Sequence, residues 1–119
     1  MPYMLLIVES PDQRAERGEV AGRAVYQRML DFTAQLQQRG VLMNSSSLAH
    51  VNDGVRLQLR DGRRSVVDGP FAETKEMIGG FFLLDVPTLE AALAVAAECP
   101  AAEWATVEVR ATGPCYQSS

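Results

Sequence analysis

The spacing of apolar residues predicts a strand-helix-strand unit at the start of the chain. Residues 3–8 are apolar throughout, which is typical of a strand buried on both faces. A helix follows, because apolar residues recur three or four positions apart and form one stripe: Val25, Met29, Phe32 and Leu36. Residues 41–43 begin a second strand, which ends in the polar run at residues 44–47.

Both ends of this helix carry recognisable signals. Ser10 is placed as the N-terminal cap, and Gln13 as the closing partner of a capping box. Gly18 weakens the first turns, so the helix is either broken there or begins properly only near Glu19. Gly40 is expected to end the helix, because glycine readily adopts the positive φ of a helix C-terminus.

A hairpin is predicted in the middle of the chain. Residues 55–60 alternate between apolar and polar side chains, which is the pattern of a half-exposed strand. Asp61-Gly62 supplies a two-residue turn, and residues 65–68 form the returning strand.

A second strand-helix-strand unit follows the hairpin. Residues 81–86 are again apolar on both faces, and Thr88 caps a helix that runs to about Glu98. The predicted inner stripe of this helix is Leu89, Leu93 and Ala96. Residues 106–110 form the last strand.

This order of elements predicts a single domain over residues 1–119, with residues 111–119 as a frayed tail. The expected fold is ferredoxin-like α+β: a four-stranded antiparallel sheet, two helices on one face and an inserted β-hairpin. Two helices cover only one face of the sheet, yet the strands at 3–8 and 81–86 are apolar on both faces. We therefore expect a homodimer in which the second faces pack together, giving a dimeric α+β barrel.

Composition and charge exclude several partners and sites. A net charge of -4 disfavours nucleic acid and anionic membrane surfaces as partners. No apolar run approaches the ~20 residues that span a bilayer, and the first residues lack the basic region of a signal peptide, so a cytoplasmic location is expected. One histidine and two cysteines, Cys99 and Cys115, disfavour a metal site, and no cofactor is expected.

Residues 68–76, with the sequence DGPFAETKE, carry the densest chemistry. The first four are interpreted as a structural turn: Asp68, Gly69, Pro70 and Phe71. The aspartate can accept hydrogen bonds from backbone N–H groups downstream, glycine admits a positive φ, and proline restricts the backbone. The second half contains Lys75, the only lysine in the chain, and is either a ligand site or a solvated face.

A ligand pocket is expected if this segment folds back over the end of the sheet. Its candidate residues are Asp68, Glu73, Lys75, Glu76, Glu108, Arg110 and His50. Lys75 or Arg110 would bind a small anionic ligand such as a carboxylate through charge-assisted hydrogen bonds. One of the carboxylates would serve as a general base in an enzyme. The alternative for Glu73 and Lys75 is a weak surface ion pair.

Two further residues have competing interpretations. His50 lies in a polar loop and has no partner identifiable from the sequence, so a surface position is favoured over a general base. Cys99 lies near a helix C-terminus, where the helix dipole disfavours a thiolate. A small core residue is therefore favoured over a nucleophile.

The segment at residues 68–76, together with the run at residues 79–86, resembles the signature of the YCII-related family in its DGPF branch. The first and last strands and the exit of the first helix agree as well, so the resemblance covers about residues 2 to 110. It implies a ferredoxin-like α+β domain that dimerises through its sheets. The His–Asp pair of the YciI-like branch has no counterpart, because the first helix has no histidine and Cys99 replaces the expected aspartate.

The resemblance leaves the activity open. One function is a dimeric small-ligand-binding or regulatory module, which the family links to signalling through sigma factors. The alternative is a cofactor-independent lyase, isomerase or dehalogenase that acts on a lactone-like or carboxylate substrate, as in a related branch. A protein-binding adaptor is a third class, and it predicts an exposed apolar patch that remains after dimerisation.

Overall fold

The computed structural model describes residues 2–116, which form two α-helices and six strands. In chain order these are β1 (Tyr3–Glu9), α1 (Gln13–Gln38), β2 (Leu42–Ser47), β3 (Val55–Arg60), β4 (Arg63–Asp68), β5 (Met77–Leu84), α2 (Leu89–Glu98) and β6 (Thr106–Ala111). Two short 3-10 turns, Val51–Asp53 and Pro100–Glu103, precede β3 and β6. No helix within residues 2–116 has both the length and the apolar character needed to cross a membrane.

Four strands form an antiparallel sheet in the order β2-β5-β1-β6, while β3 and β4 pair separately as a hairpin. This confirms the predicted ferredoxin-like α+β fold. The single domain with a frayed tail stays a prediction. Thr112 donates its backbone N–H to the Pro2 carbonyl over 3.1 Å, and residues 117–119 of the tail lie outside the described residues.

The core lies between the two helices and one face of the sheet. Leu5 and Leu84 of the sheet and Leu36 of α1 are completely buried. The rings of Phe32 and Phe82 pack edge to face, with their centroids 5.3 Å apart. Because side chains alternate along a strand, the residues between these core positions on β1 and β5 lie on the opposite face.

That opposite face has no helix over it among the described residues, and we call it the uncovered face. On β1 and β5 it presents apolar side chains that are only partly buried: Met4, Leu6, Val8, Phe81 and Leu83. The edge strand β6 adds polar side chains to it, because Glu108 and Arg110 pair in register with Leu6 and Met4.

Of the two ends predicted for α1, the C-terminal one is confirmed and the N-terminal one is not. Gly18 breaks the helix at φ 80° and ψ 172°, and Gly40 ends it at φ 72°. Val41 donates its N–H to the Leu36 carbonyl, which together with the Gly40 hydrogen bond to Gln37 forms a Schellman motif. The prediction of a capping box at this end is wrong. The helix begins at Gln13, and the side-chain amide of Gln13 donates to the Trp104 carbonyl over 2.5 Å.

The predicted inner stripe of α2 is wrong at two of its three positions. Leu89 and Leu93 are 46% and 50% exposed. The buried residues are Ala92, Val95 and Ala96, with Cys99 directly after the helix. The helix therefore presents its small residues to the sheet, which allows its backbone to approach the sheet closely. Thr88 caps the helix as predicted, because its hydroxyl accepts a hydrogen bond from the Ala91 N–H.

Two strands are longer than the sequence predicts. Strand β2 continues through the serine run to Ser47, since a polar sequence is tolerated on an edge strand. Strand β5 begins at Met77 and includes Gly79 and Gly80. Its register with β1 shifts between Ile7 and Val8, which leaves Gly79 as an extra residue in a β-bulge.

The inserted hairpin has the predicted strands and turn. Asp61 and Gly62 both have positive φ, of 52° and 76°, as a two-residue hairpin turn requires. Every residue of β3 and β4 is exposed. The hairpin therefore projects from the body of the protomer as an arm, and we call residues 55–68 the arm.

Candidate functional site

The first half of the motif lies at the base of the arm. Gly69 donates its N–H to the Gly54 carbonyl over 2.9 Å. A Cβ atom at Gly69 would lie only 2.6 Å from the Asn52 carbonyl oxygen, so this close approach requires glycine. The Phe71 ring packs against the Arg56 guanidinium, with 3.7 Å between its centroid and Cζ. These contacts join the two ends of the arm.

The structure distributes the other predicted site residues over separate places. Glu73 is exposed, and Lys75 and Glu76 line a shallow, open pocket beside Ser10 and Gln13. Glu108 and Arg110 form an ion pair with each other on the uncovered face. Asp68 ends β4 at the base of the arm. The seven candidates therefore do not meet in one pocket.

His50 has both ring nitrogens occupied by backbone groups. Its Nδ1 accepts a hydrogen bond from the Asn52 N–H at 3.0 Å, which assigns the ring proton to Nε2. Nε2 then donates to the Pro11 carbonyl at 2.6 Å. The imidazole holds the loop before the arm against the start of α1, and in this arrangement neither nitrogen is available as a base.

A cavity of about 830 Å³ lies elsewhere, between the first half of α1 and the sheet. Its apolar walls come from Ile7 and Phe82 on the sheet and from Val25 and Met29 on the helix. The size and lining are those of small-molecule sites. The buried residues of α1, Phe32 and Leu36, lie in its second half, whereas its first half lines the cavity.

An ion pair lies at one end of this cavity. The Arg14 Nε donates to Oε1 of Glu9 over 2.7 Å, and only 6% of the Glu9 side chain is exposed. The other guanidinium nitrogens of Arg14 donate to the backbone carbonyls of Leu48 and Gly79, at 3.0 and 3.5 Å. Each guanidinium nitrogen of Arg14 therefore has a protein acceptor, whereas Oε2 of Glu9 accepts no hydrogen bond from any described residue.

The bulge in β5 makes room for this pair. A Cβ atom at Gly79 would lie 2.7 Å from Oε1 of Glu9, and one at Gly80 would lie 2.9 Å from the Ser46 carbonyl oxygen. Both distances are too short for a side chain at either position. The two glycines thus allow the carboxylate to lie against the backbone of the neighbouring strand, next to the cavity.

Trp104 lies at the same end of the cavity as Glu9. Both residues line the cavity as well as the shallow pocket. The guanidinium groups of Arg17 and Arg28 lie 5.5 and 5.6 Å from the centroid of its ring. Arg28 also pairs with Glu103. The hydrogen bond from Arg28 holds the pKa of the Glu103 carboxyl below its ordinary value of 4.5.

A model of the YCII-related domain matches residues 1–114. The chain belongs to the YCII-related family. Among curated proteins, an uncharacterised protein of Rhizobium meliloti (strain 1021) is 56% identical over 32 residues, which are 27% of this chain. The match spans about a quarter of the length of that relative, 26%.

The cavity of this YCII-related protein is lined by the groups that a binding site needs. The apolar walls suit a hydrocarbon or ring, and the unpaired oxygen of Glu9 is an acceptor for a hydroxyl, amide or ammonium group. Ser45 and Ser47 of β2 add side chains that can donate or accept. Within residues 2–116 no three His, Cys, Asp or Glu side chains are grouped so that they could hold a metal ion.

Sequence reasoning missed Glu9 and Arg14. The available signals were a carboxylate directly after an apolar strand, and two consecutive glycines within a strand pattern, which indicate close backbone approach. Cys99 fits its favoured interpretation, because it is buried and desolvation raises the pKa of its thiol.

Proposed function

We propose that this YCII-related protein is a dimeric small-ligand-binding or regulatory module, whose ligand lies in the cavity between α1 and the sheet. The observation that carries the proposal is the nearly buried Glu9 carboxylate, which has one oxygen paired to Arg14 and one without a donor. Glu9 lines the cavity, so its second oxygen is placed to accept a hydrogen bond from a ligand there.

The proposal keeps the DGPF branch, its link to sigma-factor signalling and a cytoplasmic location. The sequence of residues 68–71 supports the branch. Two free cysteines are compatible with a reducing compartment. The dimer forms through the uncovered face, and its five partly buried apolar side chains on β1 and β5 are the support for it.

The ligand we propose here differs from the anion expected from Lys75. An anion placed next to the Glu9 carboxylate would be repelled, and each guanidinium nitrogen of Arg14 already donates one hydrogen bond to a protein acceptor. A small anionic ligand remains a proposal for the shallow pocket that Lys75 lines. Glu9 and Trp104 line both sites, but Gly22 lines only the cavity and Lys75 only the shallow pocket, so substitutions at these two positions test the sites separately.

The test is a thermal-shift screen of the protein against small lactones, carboxylates, amides and alcohols. A ligand at a hundred times its Kd is expected to stabilise the protein by about 2.7 kcal/mol, which raises the Tm by about 10 °C. Gly22→Leu places a side chain in the cavity wall without a clash, because a Cβ at Gly22 meets nothing within 4 Å. This variant is expected to fold and to lose the ligand-induced shift.

Lys75→Ala is the matched control, because it alters only the shallow pocket. Retention of the shift in Lys75→Ala and its loss in Gly22→Leu supports binding in the cavity. The reverse result places the ligand at Lys75 and contradicts the cavity proposal. No shift with any compound contradicts ligand binding at both sites and favours the adaptor.

The alternative function is the cofactor-independent lyase, isomerase or dehalogenase. The same oxygen of Glu9 favours it, because an apolar cavity with one carboxylate is an arrangement that removes a proton from a C–H group beside a carbonyl. Glu9→Gln would then abolish turnover of a lactone while a lactone shift remained measurable. A protein that binds lactones and leaves them unchanged contradicts the enzyme.

A further inference from the structure

One face of the arm carries exposed apolar side chains that no residue within 2–116 covers. The register places Val55, Leu57, Leu59 and Val66 on the same side of the hairpin. Their exposed fractions are 62%, 54%, 64% and 50%. Arg64 and Asp68 lie on that side as well. The other side is mainly polar, with Gln58 opposite Ser65 and arginines at positions 56, 60 and 63, and Val67 is its one apolar residue.

An isolated two-stranded hairpin is only marginally stable in water and needs a surface to pack on. Contacts of Gly69 and Phe71 join the two ends of the arm where it leaves the body. It leaves the sheet at one corner, since β2 leads into it and β5 follows it, and these two strands are neighbours. A projecting arm with an apolar side is therefore positioned to reach another molecule.

The overall shape of the protomer is also less compact than that of a typical single domain. Its extents are 46 × 42 × 21 Å and its radius of gyration is 16.2 Å. A compact chain of this length would have a radius of gyration of about 13.5 Å. The protomer is thus flat and more extended than a compact domain of this length.

Charge identifies a second copy of the chain as the occupant. The arm carries four arginines and two aspartates, which leaves the rest of the chain with seven basic and thirteen acidic residues. Each protomer therefore combines a basic arm with an acidic body. Such a surface is self-complementary, and a two-fold axis satisfies both arms at once.

We propose that the apolar face of each arm packs on the body of the partner protomer, and we call this arrangement of the two arms the clasp. Arg64, which shares the apolar side of the hairpin, lies at the edge of this contact and faces carboxylates of the partner. This inference rests on the proposed dimer, to which it adds a second contact beyond the uncovered face.

The test compares two substitutions in adjacent residues of β3 by sedimentation velocity across a concentration series. Leu57→Glu introduces a charge on the apolar face, and Gln58→Glu introduces the same charge on the polar face. We expect Leu57→Glu to raise the dimer Kd at least about tenfold. Gln58→Glu is expected to stay within about twofold of the wild type, because rim charges contribute little.

Hydrogen exchange of the β3 and β4 amides provides a second measurement that does not depend on a variant. In the wild type, these amides are expected to lose protection when the protein is diluted below its dimer Kd. Constant protection on dilution contradicts the clasp.

The remaining outcomes separate the arm from the dimer. Equal Kd values for wild type, Leu57→Glu and Gln58→Glu contradict the clasp and leave a dimer through the uncovered face intact. Equal weakening by both variants contradicts a contact that uses one face of the arm. A wild type that stays monomeric at all concentrations contradicts the clasp and the dimer together, but not ligand binding in the cavity.

Discussion

At the scale of single residues, the two glycines in the first half of α1 are under opposite constraints. Gly18 has φ 80° and ψ 172°, a backbone conformation that is open almost only to glycine. Gly22 has ordinary helical geometry, and a Cβ there meets nothing within 4 Å. Only the first of them is therefore needed for the fold.

We predict that alanine at the two positions changes stability in opposite directions. Gly18→Ala is expected to lower the free energy of unfolding by about 1–3 kcal/mol because it strains the backbone. Gly22→Ala is expected to raise it by up to about 1 kcal/mol through its higher helix propensity. Urea unfolding of both variants measures this, and a change of the same sign in both would contradict the role assigned to Gly18.

Residue-level predictions from the sequence succeeded where the signal is local. Thr88 and Gly40 act on neighbouring backbone groups, so residue type and position were enough to assign their roles. The pair formed by Glu9 and Arg14 depends on a bulge in β5, some 70 positions away, and on the distance between α1 and the sheet. No local pattern contains that information.

At the scale of elements, the 3-10 turn at Pro100–Glu103 is tied to α1 by charge. Arg28 pairs with Glu103, and its guanidinium also lies against the Trp104 ring. The hydrogen bond from Arg28 lowers the pKa of Glu103 in the folded protein. The unfolded chain therefore binds the proton more tightly, and the pair stabilises the folded state only where the carboxyl is ionised.

We predict that this contribution disappears in acid. The difference in unfolding free energy between the wild type and Glu103→Gln is expected to be fully present above pH 4.5, the ordinary pKa of the group. It is expected to vanish as the pH falls through the lowered pKa of the folded state. Urea unfolding at a series of pH values tests this. Glu73→Gln, an exposed carboxylate, is the control, and a difference that grew in acid would contradict the assigned sign.

Most of the helices and strands were predictable from the sequence. The errors lie where tertiary packing decides which side chains are buried. The order of strands and helices followed from periodicity, and the hairpin from alternation around Asp61-Gly62. The inner face of α2 was mispredicted because large residues suggested burial. In the structure, close approach to the sheet favours Ala92 and Ala96 over Leu89 and Leu93.

At the scale of the whole molecule, the uncovered face remains the strongest argument for a dimer. The sequence showed that the central strands are apolar on both faces, and the structure shows helices on only one of them. The cavity could not be predicted from the sequence, because residues from α1 and from three strands of the sheet line it together.

We predict that the wild type sediments as a dimer at micromolar concentration. Leu6→Asp places a charge in the middle of the uncovered face and is expected to raise the dimer Kd at least about tenfold. Leu89→Asp makes the same change on the exposed side of α2 and is the matched control. If both variants dimerise like the wild type, the uncovered face is not the interface.

The polar edge of the sheet has a consequence for solubility. Strand β2 exposes one row of unpaired backbone groups, the kind of surface on which sheets of different molecules join into aggregates. Its irregular register at Met43 and its run of asparagine and serine side chains make that edge a poor template for another strand. Replacement of the serines by valine would keep the β-propensity of the strand. It would also allow the exposed edges of different molecules to pair, and the protein would then polymerise edge to edge.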